Sequence, residues 1–126
     1  YSQIKDRKLI KKKRKKIYNF YSNIFKKVNS KLVEVLKTNK KVDTNYHMFC
    51  LIFKKKVIAK KFHDFMKRNR IPVATHYYPL HFSINKKIKL PITENIFNKI
   101  LRLPLNGNLK ATELNKIKNL IIKFFS

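Results

Sequence analysis

The sequence predicts an α/β domain in which helices pack against a minimal sheet. Three observations predict it. Apolar residues recur with a helical period near both ends and in the middle of the chain. Two short apolar runs of strand length lie between those helices. Proline and Asn-Gly punctuation separates the segments. At 126 residues, the chain holds one domain at most, with room for a modest core.

The first element is a long helix from about Ile4 to Val28. Ile10, Ile17, Tyr21, Ile24 and Val28 follow its period, and no glycine or proline interrupts it. The block Lys11 to Lys16 lies on its other face and reads as solvated charge. Leu32 to Leu36 is a weaker helical or extended stretch, and Asn39 to Thr44 is polar and reads as a loop. Tyr46 to Phe53 is an almost unbroken apolar run rich in aromatics, as a buried strand requires. A helix over Val57 to Arg68 presents Ile58, Phe62, Phe65 and Met66 on one face. Asn69 is expected to end it, because Asn tolerates the left-handed conformation. Ile71 to Tyr77 reads as the second strand, and Tyr78 to Lys89 as an irregular connection.

Thr93 is the expected N-cap of the next helix, with Ile92 and Phe97 as a hydrophobic staple. That helix is expected to stop near Leu103, because Pro104 disfavours helical geometry in the residue before it. Asn106-Gly107 marks a turn. Thr112 to Phe125 closes the chain as a helix with Leu114, Ile117, Ile121 and Phe124 on one face. Two strands make a poor sheet, so a third is expected in Lys31 to Leu36 or Lys87 to Leu90.

Charge points in a different direction. The chain carries 32 Lys+Arg against 6 Asp+Glu, a formal net charge of +26, which ordinarily marks a polyanionic partner. Of those basic residues 27 are Lys and 5 are Arg, and Arg is the side chain built for bidentate phosphate contacts. Lys, Ile, Asn, Phe and Tyr, all encoded by AT-rich codons, make up 71 of the 126 residues. The basicity therefore reads first as codon drift. A lysine-rich α/β module that binds RNA or another polyanion is the alternative. Salt-dependent, non-specific adhesion to polyanions follows from the charge in either case.

Other classes are excluded or unsupported. A single glycine leaves no phosphate-cradling loop, and the six scattered acids offer no carboxylate pair for glycoside chemistry. His47 and Cys50 alternate within a strand and so face opposite sides, which argues against a zinc site. Cys50 sits in an apolar run that favours an inert thiol. A lone cysteine excludes an internal disulfide and fits a reducing compartment, so a cytoplasmic location is expected. No run is long enough to span a bilayer, so no membrane insertion is expected. The chain begins at Tyr1 rather than Met, so it is expected to be either trimmed or a piece of a longer protein.

The richest segment is Thr75 to His81, T-H-Y-Y-P-L-H. It sits at a strand end, where functional side chains are commonly presented. Pro79 holds Tyr78 extended and so fixes where its neighbours point. Imidazole and phenol suit sugar hydroxyls or phosphate oxygens. The competing reading is that His76 and Tyr77 only satisfy local backbone while their rings pack.

The order of motifs adds to this. N-Y-H-M-F (Asn45 to Phe49), T-H-Y-Y-P-L-H, L-P-I-T-E (Leu90 to Glu94) and L-R-L-P-L (Leu101 to Leu105) follow one another as in a known family. Together with an opening Y-S-Q-I and a basic helix, the chain resembles the small C-terminal domain of sugar-nucleotide aminotransferases of the DegT/DnrJ type. These are fold-type I enzymes dependent on pyridoxal phosphate. The resemblance covers essentially the whole chain. It implies a minimal, mostly antiparallel sheet with helices packed on it, residues 1–30 as a linker helix and 31–126 as the small domain. It further implies a dTDP-sugar substrate, a homodimer, and His76, Tyr77 and His81 in the segment that closes beside the sugar, with His76 the foremost contact. The His47 strand and L-R-L-P-L look like scaffold, Arg102 being set aside as an exception. Arg70 stands where the family usually has Gly, and Lys110 where a Ser or Thr often caps the last helix. The Schiff-base lysine, the acidic partner of the pyridinium and the phosphate cup belong to the family's large domain, which is absent here. The resemblance thus predicts an inactive fragment that binds no cofactor alone.

Overall fold

The computed structural model describes residues 2–28, 31–37, 41–84 and 87–126. Tyr1, residues 39–40 of the expected loop and residues 85–86 of the expected connection lie outside the described residues. The elements run α1 (Ser2–Lys5), α2 (Arg7–Phe25), β1 (Val33–Val35), β2 (Phe49–Phe53), α3 (Lys56–Arg68), β3 (Ala74–Thr75), α4 (His81–Ile84), α5 (Pro91–Phe97), β4 (Ile100–Leu103) and α6 (Ala111–Phe125). The strands form one sheet in the order β1-β2-β4-β3, every pair antiparallel. The expected α/β layer with a minimal antiparallel sheet is present, with four strands in place of two or three.

Register sorts the side chains. Phe49 pairs with Leu103 and Leu51 with Leu101, while Val33 pairs with Phe53. These residues share one face and are buried. Ile17, Tyr21 and Ile24 of α2, Phe62 and Met66 of α3, and Ile117 and Ile121 of α6 cover that face in a single core. Cys50, Ile52, Ile100 and Arg102 alternate onto the other face. The Tyr21 hydroxyl donates to the Pro104 carbonyl at 2.8 Å, tying α2 to the end of β4, and burial pushes that phenol well above its ordinary pKa. Gly107 lies against α2, where an added Cβ would sit 3.1 Å from Lys13 Cβ. Close approach is what the turn asks of this glycine.

Several boundaries differ from the sequence-based expectation. The long helix is interrupted at Asp6 and ends at Phe25 rather than Val28. The strand expected from Tyr46 begins at Phe49, because Tyr46 has a left-handed φ of 52°. Thr44 Oγ1 and Asn45 Oδ1 accept from the backbone N–H groups of Tyr46 and His47, folding this stretch into local turns. The strand expected over Ile71 to Tyr77 shrinks to two ladder residues on the sheet edge, where Pro72, lacking an N–H, is tolerated.

The larger corrections concern residues 90–105. The helix expected from Thr93 to Leu103 is two elements. Its N-cap is Leu90, with Pro91 at the first helical position, so Thr93 caps nothing and Ile92 is exposed rather than stapled. Glu94 Oε1, at the fourth helical position, accepts from the Leu90 N–H at 2.9 Å and so reaches back to the N-cap backbone from one residue beyond the capping-box position. Residues 100–103 are then a central strand. At the last helix Lys110 stands at the N-cap, and Glu113 Oε2 accepts from its N–H at 2.7 Å.

Helix α3 ends at Arg68 with Asn69 as its C-cap, as expected, but the left-handed residue is the next one. Asn69 has φ −87°, and Arg70 takes the left-handed position at φ 61°. Arg70 N–H donates to Lys67 O at 2.9 Å and Ile71 N–H to Met66 O at 3.0 Å, a Schellman arrangement sealed by buried Met66 and Ile71. A Cβ at that position is strained, which accounts for glycine in the family pattern. Arg70→Gly should therefore raise stability by about 1 kcal/mol, read as a higher urea midpoint at unchanged slope.

Candidate functional site

The T-H-Y-Y-P-L-H segment leaves the edge strand β3 and divides among three environments. Thr75 pairs with Leu101 and marks the helix-covered face of the sheet. His76 is half-buried and lines a cleft of about 400 Å³ between α3 and the junction of α5 with β4. Lys56, Ala59, Lys60 and His63 form its α3 wall at helical i, i+3, i+4 and i+7 spacing, and Tyr78, Phe97 and Asn98 lie opposite. His76 Nδ1 is buried without a hydrogen-bond partner among the described residues.

Tyr77 belongs to a second environment. It is 75% exposed, and its ring centroid lies 5.3 Å from the Arg102 guanidinium carbon, within cation–π range. Arg102 projects from β4 on the face away from the helices. Its Nη2 donates to Thr75 O at 2.9 Å, and its Nε is buried without a partner among the described residues. Burial raises the pKa of neighbouring Cys50, while the Arg102 charge opposes that shift.

His81 occupies the third. It is 8% exposed, and its Nε2 lies 3.1 Å from Glu94 Oε1, with the imidazole as donor. The Glu94 carboxyl is held below its ordinary pKa, first by the Leu90 N–H and then by His81 and the Lys89 charge. This bond pins α4 to α5, and the rings of Tyr78, Phe82 and Phe97 pack beside it at 5.5–6.0 Å. Of the three residues singled out in the sequence, His76 lines the cleft, Tyr77 sits with Arg102 and His81 holds the scaffold of the segment together.

The α3 wall was not anticipated. Its only sequence signal is the spacing Lys56-Ala59-Lys60-His63, with a small residue where the cleft needs room. Asp64 beside it is bonded to Lys60 at 2.8 Å and to His63 at 3.4 Å, and these bonds, Lys60 first, hold its carboxyl below the usual range. Among the described residues no group of three His, Cys, Asp or Glu could hold a metal, and no helix is long and apolar enough to cross a membrane.

Known proteins share this arrangement. The profile of the DegT/DnrJ/EryC1/StrS aminotransferase family matches residues 1–121. The chain belongs to that family. The DegT/DnrJ/EryC1/StrS fold extends over the described elements in three solved structures. Helicobacter pylori PseC, an aminotransferase involved in the biosynthesis of pseudoaminic acid, superposes with TM-score 0.83 at 22% identity, covering 98% of this chain and 35% of that one. The aminotransferase TlmJ from Streptoalloteichus hindustanus gives TM-score 0.88 at 14% identity, covering 98% and 34%. Spr1654 from Streptococcus pneumoniae, a sugar aminotransferase by its description, gives 0.83 at 17% in its apo form, covering 98% and 32%. A search of curated proteins by sequence finds no match. This DegT/DnrJ/EryC1/StrS chain thus spans about a third of the length of the structures it matches.

The family is dependent on pyridoxal phosphate, and Spr1654 is known in a pyridoxal phosphate form. The residues present here do not fit that cofactor. A Schiff-base lysine is activated by desolvation or a neighbouring cation, yet no lysine among the described residues is buried. The acid nearest the cleft lysines, Asp64, is already bonded to Lys60 and His63.

Proposed function

We propose that this chain is the substrate-facing small domain of a sugar-nucleotide aminotransferase whose parent moves an amino group from glutamate to a dTDP-4-keto-6-deoxy sugar. The single observation that carries the reading is His76, which lines a cleft inside the segment that matches the family and encloses an Nδ1 with no hydrogen-bond partner among the described residues. His76 and Tyr77 contact the sugar nucleotide, and His81 is the residue that keeps their loop in place. The finer candidate for the parent is the transaminase that forms dTDP-4-amino-4,6-dideoxygalactose for enterobacterial common antigen, a lipopolysaccharide-associated pathway. The I-I-K-F-F-S ending resembles that enzyme's. The parent acts in the cytoplasm as a homodimer with the cofactor on its large domain, and this chain alone is inactive.

The test separates cofactor from substrate. Incubating the chain with pyridoxal phosphate, reducing with borohydride and mapping the peptides should give adducts scattered over surface lysines, with no amino transfer. One stoichiometric adduct accompanied by transfer would overturn the fragment reading. In a nuclear Overhauser experiment, a dTDP-4-keto-6-deoxy sugar should reach the ring protons of His76 and Tyr77. Contact confined to the lysines of α2 would sink the substrate assignment.

A further inference from the structure

Helices α2 and α6 cover the same face of the sheet and leave a furrow between their outer surfaces. One half of it, about 540 Å³, is floored by Phe20, Ile24, Ile122 and Phe125. The other half, about 380 Å³, is floored by Ile17, Phe20, Leu109 and Leu114. Phe20 lines both, so the two halves meet at its ring. From Ile17 to Val28 the α2 side runs roughly 16 Å, about three helical turns. Ile121 is fully buried in the core, yet its neighbour Ile122 stands 47% exposed over the furrow. Continuous apolar surface of this kind on a highly charged domain marks a contact site. The rim is basic. Lys13 and Lys16 flank one half, Lys27 and Lys118 the other, and no Asp or Glu lines either. Among the described residues none of these four lysines is in an ion pair.

We propose that this furrow docks an acidic amphipathic helix of another protein, with its apolar stripe on Phe20, Ile122 and Phe125 and its flanking carboxylates on the four lysines. Shape selects the helix, because a groove between two neighbouring helices accepts the side-chain ridge of a third. Charge selects the sign. A second copy of this chain would bring a net charge of +26 against +26, so self-association here is opposed. An acidic partner is drawn in instead, and lysines at both ends of the furrow set where its carboxylates lie. The apolar floor separates this contact from the general adhesion of a basic surface, which needs none. The furrow shares no lining residue with the His76 cleft, and docking there is independent of any sugar-nucleotide chemistry.

The experiment is a fluorescence-anisotropy titration of the 126-residue chain with a labelled peptide of about four helical turns. The probe carries Leu at i, i+3/i+4 and i+7 spacing and Glu, Gln and Ala elsewhere. Its control has the same composition with the Leu positions scrambled. At about 0.15 M salt, where the screening length is roughly 8 Å, general attraction to a basic surface is weakened. The periodic peptide should saturate, with the scrambled one at least about tenfold weaker. Ile122→Lys should weaken binding about tenfold or more although it adds a positive charge, and Ile122 is exposed enough that the fold survives the change. Lys27→Glu/Lys118→Glu should weaken it similarly, whereas Lys55→Glu/Lys61→Glu, an equal change in net charge at exposed positions on α3, should weaken it far less. Equal affinity for the two peptides, equal loss in the two double variants, or no loss with Ile122→Lys would overturn the site and leave only bulk charge. Sedimentation should show a monomer. A dimer that Ile122→Lys dissociates would give the furrow to a second copy and overturn the acidic partner. Failure here would leave the family membership and the Overhauser test intact.

Discussion

Replacing Phe49 by alanine should cost about 3–5 kcal/mol, measured as the fall in unfolding free energy from urea titration. Phe49 is 0% exposed and sits on β2, one of the two strands with a paired neighbour on each side. Its ring lies 5.0 Å from Tyr18, 5.2 Å from Tyr21 and 5.9 Å from Phe25, so three rings of α2 pack around this one side chain. Truncation leaves a cavity among rigid rings that cannot all move inward, since Tyr21 is also tied to Pro104. A small domain holds only about 5–15 kcal/mol in total, so the variant should be partly unfolded at physiological temperature. Phe49→Leu, which keeps most of the volume, should recover most of the loss. If Phe49→Ala cost under about 1 kcal/mol, the packing of α2 on β2 would be wrong.

That packing was largely legible in the chain. The helical periods of α2, α3 and α6 are long enough to average over their many lysines, and their apolar faces are the ones found buried. Strand β2 was legible as a nearly continuous apolar run rich in aromatics. Three features were not. Tyr46 looks like strand because it is aromatic, but turns built by Thr44 and Asn45 hold it left-handed. Arg70 adopts a conformation its residue type disfavours, because the Schellman bonds and the Met66–Ile71 contact outweigh the local preference. Residues 100–103 follow a helix after a two-residue turn and are too few to display a period of their own.

The candidate site divides along similar lines. The T-H-Y-Y-P-L-H segment stood out because histidine, tyrosine and proline are individually informative. Its three environments did not, since they depend on which element each side chain meets after the chain turns at Pro79. His81 finds Glu94 thirteen residues on, within L-P-I-T-E, and no local rule links the two. The α3 wall was hidden more thoroughly. In a chain with 27 lysines, Lys56 and Lys60 look like any solvated pair until β3 and α5 close the other side.

The correction at residues 100–103 leads to the other large expected effect. Leu101→Ala should cost about 2–5 kcal/mol, and Leu103→Ala about as much, while Arg102→Ala between them should cost about 1 kcal/mol or less. Leu101 and Leu103 are 4% and 3% exposed and pair with Leu51 and Phe49 on the helix-covered face. Arg102 points the other way. Losing it removes a bond to Thr75 O, a longer one to Met48 Sδ at 3.7 Å and the cation–π contact with Tyr77, but also removes a buried Nε that has no partner among the described residues. The large-small-large pattern is the signature of a period of two. A helix running to Leu103 would set residues 101 and 103 about 200° apart and could not bury both equally. Equal losses at all three positions, or a large loss at Arg102 alone, would mean that β4 is not a central strand. The register of β4 also decides where β3 starts, because Thr75 pairs with Leu101 and His76 follows it directly. Leu101→Ala should therefore also broaden the His76 imidazole signal, coupling a core substitution to the cleft it helps to position.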